Sequence, residues 1–416
     1  MSFIYRDGLL HCDDVDLKAI AKAHGTPVYI YSESILRRNA EVLKTSFIDR
    51  GFKVSYAMKA NANPAILKIF RSYGLGVDIV SGGELKMAQY AGYEGSEINY
   101  AGVGKTSDEL DLALDTGIAY FNVESLFELE VLNEHAINSG SKAKVLLRLN
   151  PDIDPQTHPH ISTGLRENKF GMAAEQVTDI LTKHQNYAGV SFEGIHCHIG
   201  SQILRSQPFD ELIDYLVTYT AELEKRGVEI KHIDFGGGFG VNYEDPFEDI
   251  LQTTPYLNDF AEKAARDLSK YQLHIQPGRV LVANTSVLLT AVLGVKENHG
   301  HQFTVIDAAS TEIIRPALYD AYHAVYPYQE NMGVHMSDVV GPVCESSDFL
   351  AKGRQLPKAV AGDLLVIGSA GAYASSMSST YNLRPLCPEV LVKSDGDVAV
   401  IKRRQTFDEM IDLFKL

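Results

Sequence analysis

The chain has 416 residues, 45% of them hydrophobic and 22% charged. That is the composition of an ordinary globular protein, long enough for two domains. A net charge of −16 argues against nucleic acid or an anionic membrane surface as a partner. The four cysteines, Cys12, Cys197, Cys344 and Cys387, are scattered without a CxxC pair. This excludes a disulfide framework and a zinc pattern and suits a reducing compartment.

No basic segment followed by an apolar core opens the chain, so no export signal is expected. The most apolar window, Val280 to Val295, is interrupted by Asn284, Thr285 and Ser286. It is too short to span a bilayer, and a cytoplasmic protein is expected.

In chain order, a strand-like run at Thr26–Tyr31 comes first. From about residue 50 to 280, short β-like runs alternate with amphipathic helical stretches. Strands are expected at Lys53–Met58, Gly76–Val80, Glu97–Ala101, Ala119–Val123, Lys144–Leu149, Ser191–His198, His232–Phe235 and Leu273–Gln276. Thr106 with Glu109, and Ser125 with Glu128, form capping-box signatures. Leu126, Leu129, Leu132 and Ala136 then recur along one helical face.

The alternation implies a closed (β/α)₈ TIM barrel over residues 32–280, with an open doubly wound sheet as the competing architecture. After Arg279 the runs Val280–Ala283, Ser286–Val292, Phe303–Ile306, Asp363–Ile367 and Val398–Lys402 read as strands. They define a second, antiparallel β-barrel or sandwich domain, formed by residues 281–416 together with 1–31.

A barrel gathers its chemistry where the strands end. Lys59 stands there in Tyr56-Ala-Met-Lys-Ala-Asn61, after a buried apolar strand. Desolvation at such a place makes a lysine a nucleophilic amine, as imine formation with an aldehyde cofactor requires. A lysine snorkelling at a strand end is the competing reading.

Asp78 lies in the second strand, and His198 closes the sixth within His196-Cys-His-Ile-Gly-Ser-Gln202. Gly236-Gly-Gly238 follows the seventh strand and Gln276-Pro-Gly-Arg279 the eighth, where barrel enzymes commonly bind phosphate. Glycine leaves the backbone open to an anion and Arg279 adds charge, although a Gly-rich turn alone is a weak signal. Strand alternation puts Cys197 on the face opposite His196 and His198, and no metal site is expected. His198 reads as a flat surface for a planar cofactor, or as a core histidine.

Further motifs accompany these: His158-Pro-His-Ile-Ser-Thr-Gly-Leu165 with Lys169-Phe-Gly171, Arg315-Pro-Ala-Leu-Tyr-Asp-Ala-Tyr-His323, Gly341-Pro-Val-Cys-Glu-Ser-Ser-Asp348, and Gly371-Ala-Tyr373 with Met377-Ser-Ser379. Together, over roughly Thr26 to Met410, they resemble the alanine-racemase-fold pyridoxal phosphate decarboxylases, and among these the diaminopimelate decarboxylases.

The resemblance implies pyridoxal 5′-phosphate held covalently by Lys59, stacked on His198, with Asp78 in support and Gln276 at the ring nitrogen. Ser201, Gly238, Gly278, Arg279 and Tyr373 would hold the phosphate. Arg279, Arg315, Tyr319 and Tyr373 would contact the substrate, with Glu345 pairing its distal ammonium. Cys344 would return a proton to the decarboxylated carbon. A homodimer with shared active sites is implied, because the Cys344–Glu345 segment reaches a partner's site in relatives.

The residue types support these roles independently. A zwitterionic amino-acid end needs a cation and an anion fixed at one place, and Arg315 and Glu345 are the right types. Cys344 lies among Gly, Pro, Glu and Ser, which favours an accessible thiol. The segment Pro159–Asn168 is a candidate lid.

Two departures stand out. Gln276 replaces the family's usual glutamate, which predicts slower chemistry. Asp307-Ala-Ala-Ser-Thr-Glu312 replaces a common Asp-Ala-Gly-Met-Asn-Asp, which would alter the loop leading to Arg315. They motivate a second reading, a sister decarboxylase acting on another amino acid or a carrier-bound one. A catalytically silent binding protein is the third.

Overall fold

The computed structural model describes residues 3–154, 169–245, 247–330 and 332–414. The expected lid, Pro159–Asn168, and the motif His158–Leu165 lie outside the described residues. The chain divides into two compact units, Asn39–Val241 with Ile250–Val280, and Met1–Arg38 with Asn242–Asp249 and Leu281–Leu416.

The first unit is a closed parallel barrel. Its strands are Lys53–Ala57, Gly76–Ile79, Ile98–Tyr100, Tyr120–Val123, Ala143–Arg148, Val190–His196, His232–Asp234 and Gln272–Ile275. The last pairs with the first through His274 with Lys53 and Ile275 with Val54, which closes the ring and rules out the open sheet. The strands are short and mostly buried because barrel side chains fill the interior on one face and meet the helices on the other.

Thr106 makes the expected reciprocal capping box with Glu109. Ser125 accepts from the Glu128 N–H, but the Glu128 carboxylate turns to Lys105 and to the Glu124 N–H instead. On that helix Leu129, Leu132 and Ala136 are buried, whereas Leu126, in the first turn, is 36% exposed.

The second unit is built on a nine-stranded sheet and a three-stranded one. Val28–Ser32, buried along its whole length, lies centrally, antiparallel to Ser286–Asn298 and parallel to Glu389–Val392. His301–Ile306 also runs parallel to Val334–Val340, so the sheet is mostly but not wholly antiparallel. Val280–Ala283, expected as a strand, is instead the end of a helical turn at Arg279–Val282 leading into a 3₁₀ turn at Ala283–Thr285. A short apolar run buried on all sides carries no period to separate the two conformations. Among the described residues no helix is long and apolar enough to cross a membrane.

Candidate active site

Lys59 sits on a 3₁₀ turn, Met58–Ala60, that carries the chain out of the first barrel strand. The strand end and both neighbours on the turn are buried, yet Lys59 itself is exposed. The desolvation expected from the strand is therefore absent here; the lysine is presented at the mouth rather than sunk beneath it.

The buried groups lie under it. Asp78 is 3% exposed and its Oδ1 has no hydrogen-bond partner among the described residues. Burial pushes its pKa up to about 8, opposed by the charge of Lys59 and reinforced by Asp234. Asp234, fully buried, is raised by burial to about 7, against the stabilising Gly236 N–H and the Arg148 charge. Its Oδ1 accepts from that N–H at 2.8 Å, and its Oδ2 accepts from Gln276 Nε2 at 2.9 Å.

Gln276 Oε1 faces His196 Nε2 at 3.1 Å. Asp234 fixes the direction of the amide, so His196 Nε2 carries the proton of that contact. Burial, and then the Arg148 charge, hold His196 well below the usual histidine range. Arg148 is itself clamped by Glu124, with Nη1 at 2.6 and 2.8 Å from the two carboxylate oxygens.

His198 is half-buried, and its Nδ1 accepts from the Gly237 N–H at 3.2 Å. Burial and the Lys59 charge keep the ring neutral. Its Nε2 therefore carries the proton, and tautomer and ring direction are both set. Cys197 is fully buried, and burial pushes its thiol pKa up, leaving it an inert core residue.

The loops after the last three strands are laced together. Ile203 N–H donates to Gly238 O at 2.9 Å, Gly240 N–H to Ile203 O at 3.0 Å, and Ala57 N–H to Pro277 O at 3.0 Å. A Cβ on Gly237 would approach Gln276 O to 2.3 Å, and one on Gly238, at φ +115°, would approach Gly200 O to 2.7 Å. Packing between loops therefore demands these glycines, apart from any anion they admit. At Gly278 a Cβ would lie 3.1 Å from Ala57 Cβ. Arg279, 6% exposed, donates from Nη2 to Ser201 Oγ at 3.0 Å, setting a cation and a hydroxyl side by side at these loops.

In the other unit Arg315 is 6% exposed. Its Nη1 donates to His323 Nε2 at 2.6 Å, and His323 Nδ1–H donates to Gly368 O at 2.8 Å. The guanidinium lies 4.3 Å from the Tyr243 ring centroid. Tyr319 ends the same short helix, Arg315–Tyr319, half-buried. Cys344 and Glu345 are both exposed on a loop organised by buried Asp348. The Asp348 carboxylate accepts from Ser310 N–H at 2.7 Å and from Val343 N–H at 2.9 Å. Cys344 N–H donates to Asn382 Oδ1 at 3.0 Å. Tyr373 is half-buried at φ +56°, a conformation costly for a bulky residue, beside Gly371, whose Cβ would strike Val282 O.

The departure at 307–312 is absorbed locally. None of these residues has positive φ, so Ala309 needs no glycine. Glu312, buried, closes the turn by accepting from Ala309 N–H at 2.8 Å and Thr311 Oγ1 at 2.9 Å.

The barrel unit thus brings together Lys59, Asp78, His198, Ser201, Gly238, Gln276, Gly278 and Arg279. The β unit carries Arg315, Tyr319, Cys344, Glu345 and Tyr373. Sequence reasoning assigned no role to Asp234, His196, Arg148, His323 or Asp348. Alternation places His196 on the face of His198, but with no metal expected there it leaves His196 without a role.

The barrel residues fit pyridoxal phosphate. They supply an exposed lysine, a buried carboxyl oxygen left unsatisfied, a neutral imidazole face and an arginine–serine pair.

Residues 33–283 match the model of the pyridoxal-dependent decarboxylase pyridoxal-binding domain. A diaminopimelate decarboxylase of Aquifex aeolicus is 40% identical over 410 residues, covering 98% of this chain and 96% of that protein. The diaminopimelate decarboxylase of M. jannaschii in complex with L-lysine superposes with a TM-score of 0.92 at 34% identity, covering 100% of this chain and 98% of that one. The Helicobacter pylori enzyme with L-lysine gives 0.89 at 36% identity, covering 96% and 99%. With its barrel, its lysine-centred mouth and this similarity along its whole length, the chain belongs to the diaminopimelate decarboxylase family of pyridoxal-dependent decarboxylases.

Proposed function

We propose that this chain decarboxylates meso-2,6-diaminopimelate to L-lysine and CO₂, the closing step of lysine biosynthesis. The observation that carries the reading is the barrel mouth, where Lys59 faces buried Asp78 beside neutral His198 and the Arg279–Ser201 pair. Membership of the family supplies the substrate class. Pyridoxal phosphate, when bound, supplies the electron sink for the pair left behind as the carboxylate departs.

The protein's part is binding, orientation and proton delivery. Lys59 Nζ is the attachment point, and its exposure leaves it open to exchange with an incoming amine. His198, fixed in one tautomer by Gly237, offers a ring face that does not reorient. Within the barrel unit Arg279, with Ser201, Gly238 and Gly278, would hold the phosphate.

In the β unit Arg315, Tyr319 and Tyr373 would grip the substrate, and Glu345 would pair the distal ammonium. His323 and Tyr243 hold the Arg315 guanidinium in place before substrate arrives, which spares the cost of ordering it on binding. Cys344 Sγ delivers one proton to the carbon that loses CO₂, balancing the reaction.

The Glu312-closed turn before Arg315 weakens one of the two motives for a different substrate. The test is an assay of CO₂ and lysine from meso-diaminopimelate, with L-ornithine, L-arginine and L-lysine as rivals. Lysine from diaminopimelate alone supports the reading, and turnover only of a rival refutes it.

We further infer a cytoplasmic homodimer in which Cys344 and Glu345 of one copy serve the Lys59 of the other. The exposure of both residues on an ordered loop supports this. Mixed Lys59→Ala and Cys344→Ala chains should then recover about a quarter of wild-type activity, since half of randomly paired dimers carry one intact site of two. No recovery would place both residues in one chain's site.

A further inference from the structure

The opposite end of the barrel, where the strands begin, holds a cavity of about 550 Å³ that no step above uses. Lys53, Tyr120, His232 and Gln272 are each the first residue of their strand and line it, with Lys144 and His274. Its floor is made of three rings that meet across the barrel. Ring centroids are 5.0 Å apart for Tyr120 and His232, 5.6 Å for Tyr120 and His274, and 5.1 Å for His232 and His274.

The rings are also hydrogen bonded in a chain. His232 Nδ1 lies 2.9 Å from His274 Nε2, and Tyr120 Oη lies 3.3 Å from His232 Nε2. One proton must sit between the two imidazoles, so the chain has two polarities. In one, the Tyr120 hydroxyl donates inward to His232. In the other, His274 donates to His232, His232 donates to Tyr120, and the Tyr120 O–H is released toward the cavity it lines.

Charge around the cavity is unbalanced. The chain carries −16 overall. Here, among the described residues, neither Lys53 nor Lys144 forms an ion pair, whereas the lining carboxylate of Glu97 is engaged by Arg71 at 3.0 Å. Glu193, which acts on His232, is bonded to Lys231 at 3.2 Å. Burial, then His232 and Lys53, hold His274 down at about 3, and burial with the charges of Lys231, Lys144 and Lys53 lowers His232 against Glu193. Two lysines outside any ion pair among the described residues, carboxylates already engaged by other cations, neutral imidazoles and a Tyr120 O–H that can turn outward form the complement of an oxyanion.

We propose that this cavity is a second binding site, separate from the strand ends that carry Lys59, for inorganic phosphate or a small phosphate monoester. Lys53 and Lys144 grip the anion above the Tyr120–His232–His274 floor, and the Tyr120 O–H, released by His232, donates to it. A purely structural floor, the usual role of a barrel's strand-start face, would bind nothing.

The test is calorimetric titration of the cofactor-loaded enzyme with inorganic phosphate, and separately with adenosine 5′-monophosphate, near neutral pH. Saturable binding is expected, weakened about tenfold or more in the Lys53→Ala/Lys144→Ala variant. In that variant cofactor absorbance and decarboxylation should stay unchanged. Saturation by phosphate identifies the free anion as ligand, and saturation by the nucleotide alone identifies a monoester. Absence of saturable binding by both, or equal binding by the lysine double variant, overturns the proposal.

Discussion

Gln276 donates to Asp234 across 2.9 Å inside the barrel, and this contact decides what a carboxylate at position 276 would meet. In Gln276→Glu two buried carboxyls would face one another, and one of them must keep a proton. Asp234 is already raised by burial to about 7. A carboxyl with a raised folded pKa contributes stability below its unfolded value and loses it as the pH climbs through the folded one. The apo variant should therefore lose thermal stability more steeply than wild type between about pH 6 and 9. Its kcat on diaminopimelate should rise, since the family's usual glutamate is restored. Parallel melting curves would show that the two side chains are not coupled.

Asp78 invites the opposite trade. Burial raises it to about 8, so its ionisation opposes folding above that pH. The sign follows from linkage: the stability its protonated form provides is complete below the unfolded value of 3.8 and is lost as the pH rises through about 8. Asp78→Asn should melt higher than wild type at about pH 9 and show little difference at about pH 5, with the cofactor absent in both. Decarboxylation should fall, because the carboxyl group facing Lys59 is gone. Equal melting shifts at both pH values would mean that Asp78 is solvated.

Much of this was legible from sequence because barrel strands obey a simple rule. Short apolar runs between amphipathic helices found all eight strands, with ends displaced by a residue or two. The Thr26–Tyr31 run likewise proved to be the sheet strand Val28–Ser32. The runs say which residues end a strand, and so Lys59, Asp78 and Arg279 came out as site candidates. They do not say which buried polar groups satisfy each other. Asp234 with Gln276, His323 with Arg315, and Glu312 with its own turn are contacts between segments or within a tight loop, with no periodic signature. Val280–Ala283 misled for a related reason: wholly buried, it has no exposed face from which to read a period.

Arg315 owes its direction to His323, which accepts from it at 2.6 Å while donating to Gly368. His323→Ala should leave the guanidinium charged but unaimed, costing about 1–2 kcal/mol in substrate binding, a roughly tenfold rise in KM. The fall in kcat should be smaller. Cofactor absorbance should be unaffected, and His323→Gln, which keeps an acceptor, should recover part of the loss. A drop in kcat at constant KM would assign His323 to the chemistry instead.

Asp348 holds in place the loop of Cys344, the proposed proton donor. Its carboxylate takes the N–H groups of Ser310 and Val343, and so pins the loop on which Cys344 stands exposed. In Asp348→Asn one oxygen becomes an amide that can only donate, and a buried N–H loses its acceptor at a cost of about 1–3 kcal/mol. The loop should loosen while the barrel is untouched. Cofactor affinity should therefore hold as kcat falls about tenfold or more, in parallel with faster alkylation or proteolysis of the Cys344 loop. If kcat falls while the loop's protection and the thiol's reactivity stay as in wild type, Asp348 acts on the substrate and not through Cys344.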